Sequence, residues 1–124
     1  MNTLIKETGM RILIVEDNPK MRCLLRVFLS DVADVCECSD GDEVISAYID
    51  WQPAWVVMDV QMRRVNGIHA TRLLKNAFPD SRVVILSEDN DSEIRAAAID
   101  AGACRYLLKD DLNALRLFLL ETES

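Results

Sequence analysis

The amino-acid sequence predicts an α/β domain built on a five-stranded parallel sheet with helices on both faces. Strand-like and helix-like segments alternate from one end of the chain to the other, which is typical of parallel sheets made from βα units. One strand-like segment contains the consecutive apolar residues Val56, Val57 and Met58, which indicates a sheet covered on both faces. Doubly wound sheets of this size commonly have the strand order 2-1-3-4-5 and right-handed crossovers, so we expect both features here.

The first βα unit begins with the β-rich run from Arg11 to Glu16. Asn18 is a good N-cap residue and Pro19 suits the first helical position, so a helix is predicted to begin there. A second, weaker strand is predicted from Ala33 to Cys38. Apolar residues at helical spacing predict a buried stripe on the first helix, formed by Met21, Leu24, Leu25, Phe28 and Leu29.

The next units follow the same pattern. An acidic turn from Asp40 to Glu43 suits the helix dipole and is predicted to open the second helix. The third strand is predicted from Ala54 to Val60, followed by a polar loop from Gln61 to Asn66 and a third helix from Gly67 to Phe78. The residues expected to face the core are Val44, Ile45, Tyr48 and Ile49 on the second helix, and Ile68, Leu73, Leu74 and Ala77 on the third.

The last two units complete a flavodoxin-like doubly wound (βα)5 fold. Its ligand crevice is expected beside the carboxyl ends of the first and third strands. The remaining predicted elements are a strand from Arg82 to Leu86 with Ser87 just past it, a polar loop from Glu88 to Ser92, a helix from Glu93 to Ala101 ended by Gly102, a strand from Cys104 to Leu108, and a helix from Asp110 to Glu121.

Composition limits the possible classes of function. The chain has 124 residues, enough for one domain with a buried core. Its net charge of −7 argues against direct nonspecific binding to nucleic acid or anionic membranes, but it does not exclude a basic partner domain outside this chain. No apolar stretch approaches the roughly 20 residues that span a bilayer. Met1 to Met10 lacks the apolar core of a signal peptide, and we expect a cytoplasmic protein.

The four cysteines are compatible with a cytoplasmic protein, and Cys36 and Cys38 are interpreted as small buried apolar residues. Cys36 and Cys38 lie two residues apart in a predicted strand and face the same side, so a metal or redox pair is the alternative. The chain has no C-x-x-C spacing, and its lone His69 has no sequence neighbour with which to chelate a metal.

Three apolar runs end on charged residues of the kind that handle phosphate. Glu16 and Asp17 follow the first run, Asp59 ends another, and Lys109 ends the last. Carboxyl ends of parallel strands share one edge, so these side chains should meet in one cleft. Two charges about 4 Å apart repel by roughly 4 kcal/mol at a surface-like dielectric, so the cluster favours a cation, and its oxygen ligands favour Mg²⁺ or Mn²⁺. A carboxylate beside such an ion and a lysine can attack phosphorus, with the Ser87 hydroxyl contacting the phosphoryl group.

Several short segments occur at these strand ends in a fixed order: Ile14-Val15-Glu16-Asp17-Asn18, Val57-Met58-Asp59-Val60-Gln61-Met62, Asn66-Gly67, Ile85-Leu86-Ser87, and Ala101-Gly102-Ala103 through Tyr106-Leu107-Leu108-Lys109. In this order and spacing they resemble the receiver domain of two-component response regulators, the CheY-like family, from Arg11 to Leu120. The resemblance implies a phosphoacceptor that switches a signalling surface and assists its own phosphorylation and dephosphorylation. It does not imply a turnover enzyme.

Residue roles follow from the resemblance by position. Asp59 matches the phosphoacceptor, and Tyr106 matches the aromatic switch residue, which turns inward when Ser87 moves toward the phosphoryl group. The matched metal-site residues are Glu16, Asp17, Asp59 and the backbone carbonyl of Gln61, while Ser87 and Lys109 match the residues that contact the phosphoryl group. We therefore predict a receiver domain over residues 11–121, an N-terminal extension over residues 1–10 and a C-terminal tail over residues 122–124.

The resemblance also implies partners. The phosphodonor would be the phosphohistidine of a sensor histidine kinase or of a phosphotransfer protein, and Mg²⁺ or Mn²⁺ would be the cofactor. The output surface would be the face of the fourth helix, fifth strand and fifth helix. Through it the domain would control an attached or separate transcriptional output, with homodimer formation on phosphorylation as a further possibility.

The sequence departs from the family pattern at four positions. Arg63 and Asp110 stand where Pro is common, although Lys109-Asp110 is familiar in the subgroup joined to helix-turn-helix DNA-binding domains. Glu16 replaces the commoner Asp. Glu88 stands where a small residue is usual, and we hypothesise that its carboxylate slows phosphorylation by small-molecule donors.

Two other functions share some of these features. Phosphatases of the haloacid-dehalogenase kind also use a strand-end Asp nucleophile, but they place a second Asp two residues later, where this chain has Gln61. A degenerate receiver that serves only as an interaction module is the other alternative. The complete set of site residues disfavours it, whereas the departures at Arg63 and Glu88 leave it open.

Overall fold

The computed structural model describes residues 10–122. Apart from Met10 and Thr122, the predicted N-terminal extension and C-terminal tail lie outside this range. The strands are β1 (Arg11–Val15), β2 (Asp34–Cys38), β3 (Trp55–Asp59), β4 (Val83–Ser87) and β5 (Arg105–Leu108). The α-helices are α1 (Pro19–Leu29), α2 (Val44–Trp51), α3 (Gly67–Ala77), α4 (Ser92–Asp100) and α5 (Leu112–Thr122), and a 3-10 turn over Gly41–Glu43 precedes α2.

All strand pairs are parallel and the order is β2-β1-β3-β4-β5, which confirms the predicted fold class. The central strands β3 and β4 are buried along their whole length, as their continuous apolar sequences predict. Within residues 10–122, none of the helices combines the length and the apolarity needed to cross a lipid bilayer.

Successive strand residues point to opposite faces, so the sheet has two separate apolar layers. One layer packs Leu13, Met58 and Ile85 against residues of α2, α3 and α4. The other packs Ile14 and Val57 against residues of α1 and α5. The two helical layers leave only the edges of the sheet open to solvent, and the carboxyl edge is therefore the place for a ligand.

Side chains in the loops at this edge fix where the helices begin. Asn18 Oδ1 accepts hydrogen bonds from Lys20 N at 2.9 Å and Met21 N at 3.2 Å, which confirms the predicted start of α1. Asp91 caps α4 in the same way. The last helix begins at Leu112, later than predicted, because Asp111 Oδ1 accepts from Ala114 N at 3.2 Å and acts as its cap.

The helices bury narrower faces than the sequence predicts. Leu24 on α1, Ile49 on α2 and Leu73 on α3 were expected in the core, yet they are 50%, 55% and 45% exposed. Ala77 is also exposed. A helix lying on a sheet buries only the row nearest the sheet, so the flanks of a wide apolar stripe point toward solvent.

The four cysteines differ in exposure, and the prediction of burial concerns Cys36 and Cys38. Cys23 and Cys104 are exposed, because one lies on the outer side of α1 and the other precedes the edge strand β5. Cys36 is half-buried and Cys38 is buried. Burial, with a smaller contribution from the Glu43 carboxylate, raises the pKa of Cys38 to about 12. That thiol is therefore protonated at neutral pH, which argues against a redox pair. Within residues 10–122, neither cysteine belongs to a group of three or more side chains that could hold a metal ion.

Gly67, the first residue of α3, packs directly on the end of β3. Its N–H donates to Val60 O at 2.8 Å. A Cβ atom at position 67 would lie 1.8 Å from the carbonyl oxygen of Asp59. Only glycine allows this approach, and the start of α3 therefore fixes the backbone of Asp59.

We expect Gly67→Ala to destabilise the domain by about 3 kcal/mol or more, because the added methyl group overlaps backbone atoms that have no room to move. Urea unfolding measures the change. Asn76→Ala, on the exposed side of the same helix, is the control and should change stability by less than about 0.5 kcal/mol. Equal stabilities for the two variants would contradict the proposed packing.

Candidate functional site

The candidate site is a cleft of about 200 Å³ at the carboxyl edge of the sheet. Backbone hydrogen bonds continue past the strand ends and hold its walls: Glu16 N donates to Cys38 O at 3.1 Å, and Lys109 N donates to Ser87 O at 2.8 Å. The cleft is lined by Glu16, Asp17, Asn18, Asp59, Val60, Gln61, Ser87, Glu88, Asp89 and Lys109.

A buried ionic triad lies at the centre of the cleft. Lys109 Nζ is 2.9 Å from Asp59 Oδ1 and 3.0 Å from Glu16 Oε1. Glu16 and Asp59 are only 1% and 5% exposed. Burial alone would lower the pKa of Lys109, but hydrogen bonds and charge from Asp59 and Glu16 outweigh it and raise that pKa. Lys109 is therefore a permanent cation in the site.

The acidic side of the cleft has the composition of a metal site. One carboxylate oxygen from each of Glu16, Asp17 and Asp59 lies within 4.8 Å of the others. Glu16 Oε2 accepts from Asn18 N at 3.2 Å, whereas the buried Oε1 forms the ion pair with Lys109. Three carboxylates facing one ammonium leave uncompensated negative charge. These residues could hold a metal ion.

The pKa of Glu16 is raised by its position in the cleft. Burial first, and then the negative charge of Asp59, raise the pKa of Glu16 to about 7, against the lowering influence of Lys109. The carboxylate thus loses its proton only at a considerable free-energy cost when no further cation is present.

The loop between β3 and α3 is held over the cleft by Asp40. Asp40 Oδ1 accepts from Gly41 N at 2.7 Å and Val65 N at 2.9 Å, and Oδ2 accepts from Arg64 N at 3.0 Å. Burial would raise the pKa of Asp40, but these three backbone donors keep it below its usual value. The anion therefore fixes the loop that contains Gln61.

Ser87 and Tyr106 are joined through the backbone of one residue. Ser87 is the last residue of β4, and its Oγ accepts from Asp89 N at 3.1 Å. The hydroxyl of Tyr106 donates to Asp89 O at 2.5 Å, and the tyrosine side chain lies inward with the residue 3% exposed. Movement of Ser87 would therefore alter the acceptor of the Tyr106 hydroxyl.

The structure brings together the predicted site residues Glu16, Asp17, Asp59, Gln61, Ser87 and Lys109 in one cleft. Tyr106 does not line the cleft but lies behind Ser87, across Asp89. Sequence reasoning treated Asp40 only as part of a helix-opening turn and assigned no role to Asp89. The Asp40-Gly41 pair after β2 is a sequence signal that could have drawn attention to Asp40. Asp89 acts through its backbone atoms, so its side chain gives no signal in the sequence.

Fold and site together define a doubly wound α/β domain with an acidic, lysine-containing cleft at the carboxyl edge. The family model of the response regulator receiver domain matches residues 12–119. The chain belongs to this family.

Known proteins of the family match along most of the chain. The transcriptional regulatory protein DegU of Brevibacillus brevis is 31% identical over 119 residues, covering 93% of this chain and 50% of DegU. The chain spans about half the length of DegU and of four other transcriptional regulators that it matches.

Solved structures give the same result. A LuxR-family two-component response regulator from Aurantimonas sp. SI85-9A1 superposes with a TM-score of 0.84 at 28% identity, covering 92% of this chain and 84% of that one. The response regulator domain of CheB from Thermotoga maritima gives a TM-score of 0.80 at 26% identity, covering 93% of both chains.

The raised pKa of Glu16 predicts a pH-dependent stability. A carboxyl whose pKa is higher in the folded chain binds more protons there, so its stabilising contribution is complete below the ordinary pKa of 4.5 and is lost as pH rises through about 7. In EDTA, wild type should lose about 2–3 kcal/mol relative to Glu16→Gln between pH 5 and pH 8. Urea unfolding of both proteins across this pH range measures the difference. If the unfolding free energies of wild type and Glu16→Gln change with pH in the same way, the prediction is wrong.

Proposed function

We propose that the domain is a signalling phosphoacceptor whose Asp59 receives a phosphoryl group from the phosphohistidine of a sensor histidine kinase or of a phosphotransfer protein in the cytoplasm. The contact between the Lys109 ammonium and Asp59 Oδ1, within a cluster of three carboxylates, carries the proposal. A carboxylate oxygen of Asp59 forms a bond to phosphorus while the bond from phosphorus to the histidine nitrogen breaks, and the imidazole leaves. The product is an acyl phosphate.

The residues around Asp59 have distinct tasks in this transfer. Lys109 would follow the charge from the carboxylate to the phosphoryl oxygens, since its ammonium already lies in the cleft. The Ser87 hydroxyl is the second group placed to contact those oxygens, and it is almost completely buried. Because Asp59 itself keeps the phosphoryl group as an acyl phosphate, each transfer switches one domain, and the domain acts as a phosphoacceptor.

We propose that the cation of the site is Mg²⁺, with Mn²⁺ as a substitute. The carboxylates of Asp17, Glu16 and Asp59 and the carbonyl oxygen of Gln61 would hold it, since an all-oxygen donor set suits these hard ions. When bound, the ion supplies positive charge that offsets both the carboxylate cluster and the transferred phosphoryl group. The excess of three clustered carboxylates over the single Lys109 ammonium supports this assignment.

The output of the switch is proposed to be the face formed by α4, β5 and α5. Tyr106 connects this face to the cleft, because its hydroxyl bonds to the loop that follows Ser87. Since the matched relatives named as transcriptional regulators are about twice as long, we propose a transcriptional effector, attached or separate, as the partner. DNA would be contacted only by that effector, and phosphorylation would favour a homodimer of this domain.

Labelling with acetyl phosphate tests the phosphoacceptor role. In Mg²⁺, intact-mass spectrometry should show one added phosphoryl group on wild type and none on Asp59→Asn, because the amide is not a nucleophile toward phosphorus. Labelling should also be lost in EDTA. Asp80→Asn, an exposed aspartate in the turn after α3, is the matched control and should label like wild type.

Two results would contradict the proposal. Equal labelling of Asp59→Asn and wild type would place the phosphoryl group elsewhere. No labelling of wild type by either acetyl phosphate or a phosphorylated histidine kinase would favour the interaction module that lacks phosphotransfer.

Glu88 is proposed to disfavour small anionic donors. It is exposed at the mouth of a cleft where five lining residues are acidic and one is basic. Removing one charge from this rim should relieve about 0.5–1 kcal/mol of repulsion, so acetyl phosphate should label Glu88→Gln about two- to fivefold faster than wild type. Glu88→Ala separates charge from size: a rise in Ala but not in Gln indicates crowding, and an unchanged rate in both variants dismisses the role.

A further inference from the structure

Arg95 contacts the buried tyrosine from the first turn of α4. Its guanidinium carbon lies 4.7 Å from the centroid of the Tyr106 ring. Nη2 donates to Asn90 Oδ1 at 2.9 Å, and Nη1 donates to the backbone oxygen of Tyr106 at 3.4 Å. One side chain thus connects α4, the loop after β4 and the strand β5.

The opposite end of the tyrosine is fixed by a separate contact. The Tyr106 hydroxyl donates to Asp89 O, and Asp89 N donates to Ser87 Oγ. The ring is therefore held between a backbone acceptor at its hydroxyl end and a cation at its ring. Because Asn90 follows Asp89 directly, Arg95 and the tyrosine hydroxyl both bind the same short loop.

We propose that Arg95 is a positioning residue that holds Tyr106 in its buried orientation and so sets the equilibrium between the inward and outward positions of that ring. The coupling of this equilibrium to Asp59 rests on the proposed function. Arginine suits the task because its planar fork donates to two acceptors while its face covers the ring, which a lysine ammonium does not do. Asn90 fixes the plane of the fork.

The energy of the ring contact sets the size of the effect. An arginine over an aromatic ring at an exposed site changes a two-state ratio by about two- to fivefold, and Arg95 itself is exposed. Loss of Arg95 should therefore increase the outward population of Tyr106 by at least about twofold. The change lies between two conformations of a folded domain, so global stability should change little.

Fluorine NMR of chains that contain 3-fluorotyrosine measures this equilibrium. The chain has two tyrosines, so the Tyr48→Phe variant assigns the Tyr106 signal. Tyr48, whose ring centroid lies 4.8 Å from that of Phe78, serves as an internal reference. Exposure of Tyr106 is read from the shift of its fluorine signal between H₂O and D₂O, which increases with solvent contact.

A second arginine on β5 provides the matched control. Arg105 lies 4.8 Å from the ring centroid of Phe118, so Arg105→Ala removes the same kind of contact without touching Tyr106. We expect Arg95→Ala to increase the solvent shift of Tyr106 and Arg105→Ala to leave it unchanged. An unchanged shift in a folded Arg95→Ala chain, or an equal increase in both variants, would overturn the proposal.

Arg95→Met keeps the length and helix propensity of the side chain but removes its charge and its donors, so it can be read even where the alanine variant fails to fold. It should also expose Tyr106, and a tyrosine that stays buried in Arg95→Met contradicts the positioning role. Arg95→Lys should give an intermediate shift, since it keeps only the charge. If Tyr106 is as exposed in Arg95→Lys as in Arg95→Met, the positive charge alone does not hold the ring.

Phosphorylation separates this inference from the proposed function. After labelling with acetyl phosphate and Mg²⁺, the Tyr106 signal of Arg95→Ala should move back toward that of wild type, because phosphorylation then supplies the bias that Arg95 supplied. If Asp59 is labelled and the signal does not move, the coupling to Arg95 is wrong. If wild type takes no label, the proposed function fails, whereas the unlabelled comparison still decides whether Arg95 positions Tyr106.

Discussion

The structure depends on one interaction, the buried contact of the Lys109 ammonium with the carboxylates of Asp59 and Glu16. Transfer of such charges from water costs several kcal/mol per ion, and only close pairing recovers that cost. The parallel sheet makes the pairing possible, because β1, β3 and β5 bring residues that are far apart in sequence to the same edge. The pairing is incomplete, with more carboxylates than ammonium groups, and this imbalance makes the edge a site for a cation and a phosphoryl group.

Repulsion within the acidic cluster would open the strand ends if the backbone were free to move. Contacts behind the site prevent this. Arg22 Nη1 donates to the backbone oxygen of Glu16 at 2.8 Å, while its Nε donates to Glu37 at 3.2 Å. Asp40 holds the loop after β3, and Gly67 lies against the backbone of Asp59. The geometry of the site is therefore kept, and burial together with the negative charge of Asp59 raises the pKa of Glu16.

Sequence reasoning recovered the fold and the members of the cleft because both are carried by strong local patterns. Continuous apolar strands indicate a parallel sheet covered on both faces. In such a sheet the charged residues at the strand ends, Glu16, Asp59 and Lys109, lie at one edge. Patterns of apolar residues alone did not show which flank of a helix faces solvent, as Leu24 and Ile49 demonstrate. That choice depends on how each helix lies on the sheet, which is a tertiary property.

The orientation of Tyr106 lay beyond reach of the sequence for a different reason. An aromatic residue near the end of an edge strand is compatible with burial, exposure or exchange between the two, and the difference is a few hydrogen bonds. Here the acceptor is the backbone oxygen of Asp89, and the covering group is Arg95, in the first turn of the next helix. The first leaves no trace in the sequence, and the second is one exposed arginine among many charges. Contacts worth about 1 kcal/mol each decide whether the Tyr106 ring lies inward or outward. This small energy difference lets a single phosphoryl group shift the ring, and it also prevents the orientation from being predicted from the sequence.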